Sequence, residues 1–377
     1  MKVALFLTYD YSLDTWYESG TLKRELEIYK KIKKDYAINF LFITYGNEVD
    51  NEYKDYFKEF EIIPIYSLIK KSSNSFLRFI KSFLIPFKIK KYLNEVDIIQ
   101  QHQLLGSWVS LITKFLVNKP LIIRTGYDMY TFSIMEKKKK YITAAYKFLT
   151  FITTKFCNLY TVASKSDYKL IKKYFKDKEK IVLRPNWVHV NNGDKKFNNR
   201  HRNKILSVGR LVEQKNFELL IREFKNTENF LTIDIVGKGP EKKYLSNLAN
   251  KLNVKINFLG NLEHEELLKL YDKYNFFVSS SVFEGNPKTI LEAMGSGCIV
   301  IASDIPNHKE LIENNETGIL FDLLKPNLLN TFNMLKEKQK LRYSIQNNAV
   351  NKIKKSNSID LIAKLSFEDY QNIRTKY

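Results

Sequence analysis

Residues 283–295 read FEGNPKTILEAMG and lie two residues beyond the apolar run FFVSS at 276–280. A strand runs into a loop, and the loop runs into a helix. The N-terminus of such a helix carries unpaired N–H groups and the positive end of the peptide dipole, which together suit a phosphate. Glu284 lies in the loop and Glu292, eight positions later, about one turn inside the helix. Carboxylates repel phosphate but accept hydrogen bonds from sugar hydroxyls. A diphosphate with a sugar on one side and a ribose on the other fits this layout.

A second strand-to-helix turn occurs at 207–216, SVGRLVEQKN, where Arg210 and Lys215 flank the turn after Gly209. Two cations there suit a diphosphate, each charge-assisted hydrogen bond contributing about 1.5–3 kcal/mol. Taken alone they read as surface charges, and their weight comes from the neighbouring acidic pair.

Working outward, short apolar runs alternate with helical patterns along the whole chain. Strands are predicted at 3–8, 39–44, 62–65, 97–101, 121–124 and 159–163, then at 204–208, 231–236, 255–258, 276–279 and 298–302. Helical segments between them include 22–34, 108–116, 217–224, 241–252 and 265–274. This alternation predicts an α/β protein with parallel sheets covered on both faces. The polar, Asn-rich stretch 188–203 reads as a linker. The expected organisation is therefore an N-terminal domain over 1–187, the linker 188–203, and a C-terminal domain over 204–355. Two Rossmann-like domains facing one another would bind ligands in the cleft at the carboxyl ends of their strands.

The motifs resemble those of glycosyltransferase family 4, retaining enzymes of the two-domain GT-B fold. The family's Glu–seven residues–Glu signature is matched almost letter for letter from Glu284 to Gly295. Its G-R-x-x-x-x-K element is matched by Gly209, Arg210 and Lys215. VGKGP at 236–240, FLGN at 258–261 and RPN at 184–186 resemble three further family loops. The likeness is close in the second half and looser in the first.

The resemblance implies that the C-terminal domain binds a UDP- or GDP-linked sugar and the N-terminal domain an acceptor hydroxyl. It implies that Arg210 and Lys215 hold the donor diphosphate, that Glu292 meets the ribose and that Glu284 contacts the transferred sugar. Gly209, Gly237, Asn261, Gly285, Asn286, Pro287, Thr289 and Ile290 would shape the donor site. Gly20, a single glycine in Ser19-Gly20-Thr21, stands where the family has a Gly-rich first loop. His102, at the end of a strand, stands where the family often has a histidine near the donor sugar or acceptor, and is counted with Glu284, Arg210 and Lys215 as a catalytic candidate; on its own a lone histidine is usually structural or merely exposed. Tyr127 and Asp128 are acceptor candidates by position alone. A helix after residue 356 would cross back onto the N-terminal domain. The chain contains no Asp-x-Asp pair, so no metal held by that motif, and no other cofactor, is expected. The leaving phosphate would act as base in a front-face, retaining reaction, with Glu284 as nucleophile the alternative. A non-catalytic carbohydrate- or nucleotide-binding protein, or a nucleotide-sugar epimerase, would use the same fold. The four intact charged residues argue against the first, and no motif demands the second.

Composition bounds these readings. The chain has 377 residues, is 44% hydrophobic and 27% charged, and has only 13 Gly and 8 Pro, which excludes a disordered or low-complexity protein. Two cysteines, Cys157 and Cys298, exclude a disulfide scaffold and fit a reducing compartment. No run reaches the roughly 18–20 apolar residues that span a bilayer. The expected location is cytoplasmic, either free or peripheral on the inner face of the cell membrane.

The formal net charge is +21. Two stretches, 62–94 and 137–166, contain no acid and carry seven basic residues each, interleaved with aromatics. Phe76, Phe79, Ile80, Phe83 and Phe87 recur at helical spacing, and Pro86 breaks or ends that helix. Such a segment either lies in an anionic membrane interface or presents an ordinary core stripe with solvated lysines. A lipid-linked saccharide would be a natural acceptor under the first reading. No zinc finger or RNA-binding signature accompanies the charge, so nucleic acid is not an expected partner.

Overall fold

The computed structural model describes residues 1–175, 178–190, 197, 199–227 and 229–377. The chain divides into two compact units, residues 1–185 with 362–377, and residues 186–361.

The first unit is built on seven strands: β1 (Lys2–Phe6), β2 (Asn39–Thr44), β3 (Glu61–Pro64), β4 (Ile98–His102), β5 (Leu121–Thr125), β6 (Leu159–Val162) and β7 (Ile181–Leu183). They pair in parallel in the order β3-β2-β1-β4-β5-β6-β7. β1 and β2 are apolar along most of their length because both faces are covered, and Ala4, Phe6, Ile99, Leu121 and Ile123 join one core. Helix Leu22–Tyr36 buries Leu22, Leu26, Ile28, Tyr29 and Ile32 and ends at Ala37 in the left-handed region. The C-terminal helix Ile359–Lys376 contributes its last turns to this unit. Phe367 stacks on Tyr36 at 4.2 Å, Tyr370 donates to Gln100 at 2.5 Å, and Arg184 forks onto Asp369 at 2.7 and 2.8 Å.

In the acid-free stretch, helix Ser75–Ser82 stops before Pro86, which occupies the first turn of helix Ile85–Ile89 where its missing N–H costs nothing. The helix does not turn its aromatic stripe into the core. Phe76 is 68% exposed, Phe87 61%, Leu84 55% and Ile80 49%. Helix Lys140–Phe156 likewise exposes Tyr141 and Phe148. Among the described residues no helix is long and apolar enough to cross a membrane.

The second unit carries six strands: β8 (His201–Val208), β9 (Thr232–Val236), β10 (Lys255–Gly260), β11 (Tyr274–Ser279), β12 (Ile299–Ser303) and β13 (Ile319–Phe321). Their parallel order is β10-β9-β8-β11-β12-β13. Two apolar layers cover the sheet, one including Ile205, Ile233, Phe276 and Ile301, the other Leu206, Phe277, Ile290 and Val300.

All eleven expected strands form, with ends displaced by up to three residues. Two strands have no counterpart in the sequence reading: β7 and β13, each three residues long and each at a sheet edge. Of the stretch 188–203, residues 191–196 and 198 lie outside the described residues. Val188 bridges Ser358 in parallel, and residues 201–203 already belong to β8.

Candidate active site

In an open parallel sheet, a crevice opens where neighbouring strands send their connections to opposite faces. In the second unit that point falls between β8 and β11. The two loops leaving it are the two charged stretches of the sequence, and they are tied together. Val282 N donates to Gln214 O at 2.9 Å, and Gln214 Nε2 donates to Phe283 O at 2.9 Å. Ser280 Oγ lies 3.0 Å from Lys215 O and 2.8 Å from Asn216 O.

These ties seat the Lys215 ammonium on the Glu284 carboxylate. The pair is largely buried, with side-chain exposures of 16% and 8%. Ser281 Oγ donates to the same Glu284 oxygen at 2.6 Å. Breaking a buried pair by removing one partner is costly, because the other charge is then left uncompensated. Arg210 is instead exposed, with no side-chain partner among the described residues.

The glycines around this point have steric reasons. Gly237 adopts φ 140°, and a Cβ there would fall 2.0 Å from Gly209 O. Gly209 N donates to Val236 O at 2.9 Å, Leu211 N to Lys238 O at 2.9 Å, and Gly237 N to Gly260 O at 2.7 Å. The loops after β8, β9 and β10 are therefore laced by backbone, with Asn261 exposed beside them.

On the β11 side, Gly285, Asn286 and Pro287 are buried. Asn286 accepts from Asn186 N at 3.0 Å through its side chain and from Asn186 Nδ2 at 2.7 Å through its carbonyl, which fixes the loop. Helix Lys288–Gly295 begins at Pro287, and no side chain caps it. Its first helical bond runs from Leu291 N to Pro287 O at 3.3 Å, so the N–H groups of Thr289 and Ile290 lie in the uncapped first turn. Glu292 is 1% exposed, and its carboxylate meets His264 Nε2 at 3.2 Å and Tyr271 OH at 3.3 Å.

Residues absent from the sequence reading complete this region. Ser303 Oγ donates to Ser281 O at 2.5 Å, and His308 Nδ1 lies 2.9 Å from Ser303 O. His264, Tyr271, Ser281, Ser303 and His308 are all buried. Their signal in the sequence is weak, since each is an isolated polar residue whose partners lie elsewhere in the chain. Among the described residues no cluster of three or more His, Cys, Asp or Glu could hold a metal ion.

In the first unit the corresponding point lies between β1 and β4. His102 ends β4, buried beside Trp16 at 5.7 Å between ring centroids. Thr8 Oγ1 donates to His102 O at 3.1 Å and Tyr9 N to Leu105 O at 3.0 Å, which ties the loops after the two strands. Gly20, at φ 68°, does not sit in the loop directly after β1. A short helix, Leu13–Glu18, intervenes and places it before helix Leu22–Tyr36. Tyr127 is 37% exposed, but Asp128 is fully buried. Asp128 caps helix Met129–Met135, accepting from Thr131 N at 2.8 Å and Thr131 Oγ1 at 3.0 Å, with Tyr160 OH at 3.4 Å from its other oxygen. Burial pushes its carboxyl up, and burial together with the Asp128 charge pushes neighbouring Asp167 up to about 7. Asp128 is thus committed to holding its own loop, which leaves Tyr127 as the accessible member of that pair.

Residues 191–352 match the family model described as Glycosyl transferases group 1. The whole chain is similar in fold to Anabaena HepE, solved with UDP and glucose, at a TM-score of 0.75 and 18% identity, covering 99% of this chain and 100% of that one. It is similar likewise to sucrose-phosphate synthase from Thermosynechococcus elongatus, at a TM-score of 0.77 and 15% identity, with full coverage of both. The chain is a GT-B-fold glycosyltransferase. Among curated proteins it is 28% identical over 295 residues to the Campylobacter jejuni N-acetylgalactosamine-N,N'-diacetylbacillosaminyl-diphospho-undecaprenol 4-alpha-N-acetylgalactosaminyltransferase, covering 76% of this chain and 80% of that one. It is 27% identical over 249 residues to the Staphylococcus aureus capsular polysaccharide biosynthesis glycosyltransferase CapH, covering 62% and 67%.

Proposed function

We propose that this protein is a retaining hexosyltransferase of glycosyltransferase family 4 that takes its sugar from a UDP- or GDP-linked donor held by the second unit. The observation that carries the reading is the buried Lys215–Glu284 pair at the sheet's switch point, beside an uncapped helix N-terminus. A diphosphate entering there meets the Lys215 ammonium, the Arg210 guanidinium and the first-turn N–H groups of the helix beginning at Lys288. All three favour the charge that develops on the departing phosphate, so no metal is required for that task. Lys215 exchanges one anion for another as it moves from carboxylate to phosphate. Glu284 retains the Ser281 hydroxyl and is released to accept from a hydroxyl of the transferred sugar. Glu292 serves the ribose, with His264 and Tyr271 orienting its carboxylate. The β-phosphate oxygen takes the acceptor proton as it leaves, which accounts for retention without a side-chain nucleophile.

The acceptor belongs to the first unit, where His102 and Tyr127 are the side chains offered to it. The exposed aromatics of helix Ser75–Ser82 and its neighbour, in a stretch with seven basic residues and no acid of its own, support an acceptor at an anionic membrane surface, a lipid-linked saccharide of cell-surface polysaccharide or glycolipid synthesis. The C. jejuni relative's diphospho-undecaprenol-linked acceptor is of this chemical kind.

Titration calorimetry with UDP-glucose, UDP-N-acetylglucosamine and a GDP-hexose tests the donor reading. One of them is expected to bind, and its nucleoside diphosphate to bind at the same site. If none of these conjugates and neither nucleoside diphosphate binds, the reading falls.

A further inference from the structure

A cavity of about 30 Å³ lies within the first unit, away from the residues given to donor and acceptor. Its floor is the sheet, where Gln100 of β4 and Arg124 of β5 point to the same side. Tyr29 of helix Leu22–Tyr36 lines one wall, and Asp369 and Tyr370 of the C-terminal helix line another, with Arg184 beside them. No other charged group lines it.

The charges do not cancel. Arg184 is matched, since its guanidinium forks onto Asp369. Arg124 is half-buried, and its guanidinium has no hydrogen-bond or ion-pair partner among the described residues. Glu25, one turn before Tyr29, is held by Arg24 at 3.2 Å. The cavity therefore carries one positive charge in excess.

The neutral groups offer hydrogens as well. Tyr370 OH donates to Gln100 Oε1, which leaves the amide nitrogen of Gln100 as that side chain's remaining group. Tyr29 OH has no partner among the described residues, and burial pushes its pKa up, so it keeps its proton. Both side chains are more than nine-tenths buried. A guanidinium, a phenol and an amide nitrogen bordering one small space are all donors, and an anion is what accepts from all three. The excess positive charge excludes a cation. Volume sets the size, because one water needs about 10–15 Å³ of such space: the cavity admits an ion of halide dimensions and not a phosphate with its four oxygens.

We propose that this cavity is a chloride site, in which Arg124, Tyr29 and the Gln100 amide hold the ion and so fasten the C-terminal helix to β4, β5 and helix Leu22–Tyr36. Chloride concentration then sets how firmly residues 362–377 are held against the rest of their unit.

The test replaces gluconate by chloride at constant ionic strength, so that screening stays fixed. The wild type is expected to gain about 1–3 °C in melting temperature on reaching a tenfold excess over the dissociation constant. Peptides covering 362–377 should gain protection from hydrogen exchange over the same range. Arg124→Met removes the charge and keeps most of the chain length. It is expected to lose the chloride response and, without chloride, to melt above the wild type, because no unmatched guanidinium remains. Tyr29→Phe should need about tenfold more chloride for the same gain, as for one lost hydrogen bond. It also serves if the Met variant does not fold. Wild-type crystals soaked in bromide should show an anomalous peak in the cavity that is missing from Arg124→Met. Equal chloride responses in the wild type and Arg124→Met, or bromide peaks confined to the outer surface, would mean an adventitious ion only and overturn the proposal. A wild type indifferent to chloride, with waters alone in the cavity, would overturn it too. No nucleotide sugar enters these measurements, so they succeed or fail independently of the donor reading.

Discussion

Lys215→Ala is expected to lower turnover by about two to three orders of magnitude, the loss seen when one preorganised electrostatic partner of a developing anion is removed. Two effects add in this variant. The diphosphate loses the cation that faces it as the glycosidic bond breaks, and in the absence of ligand Glu284 keeps a buried charge whose counter-ion is gone. The second effect should appear as a lowered melting temperature, which Glu284→Gln in the same chain should largely restore. The first effect should not be restored by it. Arg210→Ala, at an exposed position, should lower turnover without the stability penalty. Steady-state kinetics with thermal melts separate the two. Turnover within a fewfold of wild type in Lys215→Ala would remove the residue from the mechanism.

Replacing Phe76 and Phe87 together by Ser is expected to reduce partition onto anionic vesicles by about a hundredfold. Full transfer of one phenyl ring from water contributes about 1.5–3 kcal/mol. These two rings are 68% and 61% exposed, so the folded protein has done little of that transfer. Each lysine near an anionic surface adds about 1 kcal/mol, and that part is screened by salt. Flotation with phosphatidylglycerol vesicles should therefore show wild-type binding that weakens as salt rises, and little binding to neutral vesicles. Transfer to a soluble acceptor should survive the double substitution, because neither ring belongs to the donor site. Wild-type protein that fails to float with anionic vesicles even at low salt would leave these aromatics without a membrane role.

The parallel sheets were legible because strands buried on both faces must be apolar along their length, as FLFIT at 40–44 and LII at 121–123 are. The edge strands β7 and β13 were not. Three residues carry no period, and their pairing is decided by the neighbouring strand rather than by their own composition. Lys215 and Glu284 could be singled out because each is a charge in a glycine-bearing loop that follows a strand and leads into a helix. Their direct contact could not be read, since it depends on which two strands flank the switch point. Asp128 carries a structural role that its position did not reveal. Its position after a strand suggested a ligand contact, whereas the spacing to Thr131 at the start of a helix is that of a cap. The buried links from Ser281 to Ser303 and from Ser303 to His308 Nδ1 were invisible because serine spacing carries no information about tertiary neighbours.

The central claim is that the crevice between β8 and β11 holds the donor's diphosphate. Hydrogen exchange read by mass spectrometry, with and without a saturating nucleotide sugar, locates that contact on the backbone. The account predicts added protection in peptides covering 209–216, 237–240 and 284–292, and above all at the first-turn amides of the helix that starts at Lys288. Saturation with nucleotide sugar that leaves those peptides unchanged while protecting another part of the chain would contradict it.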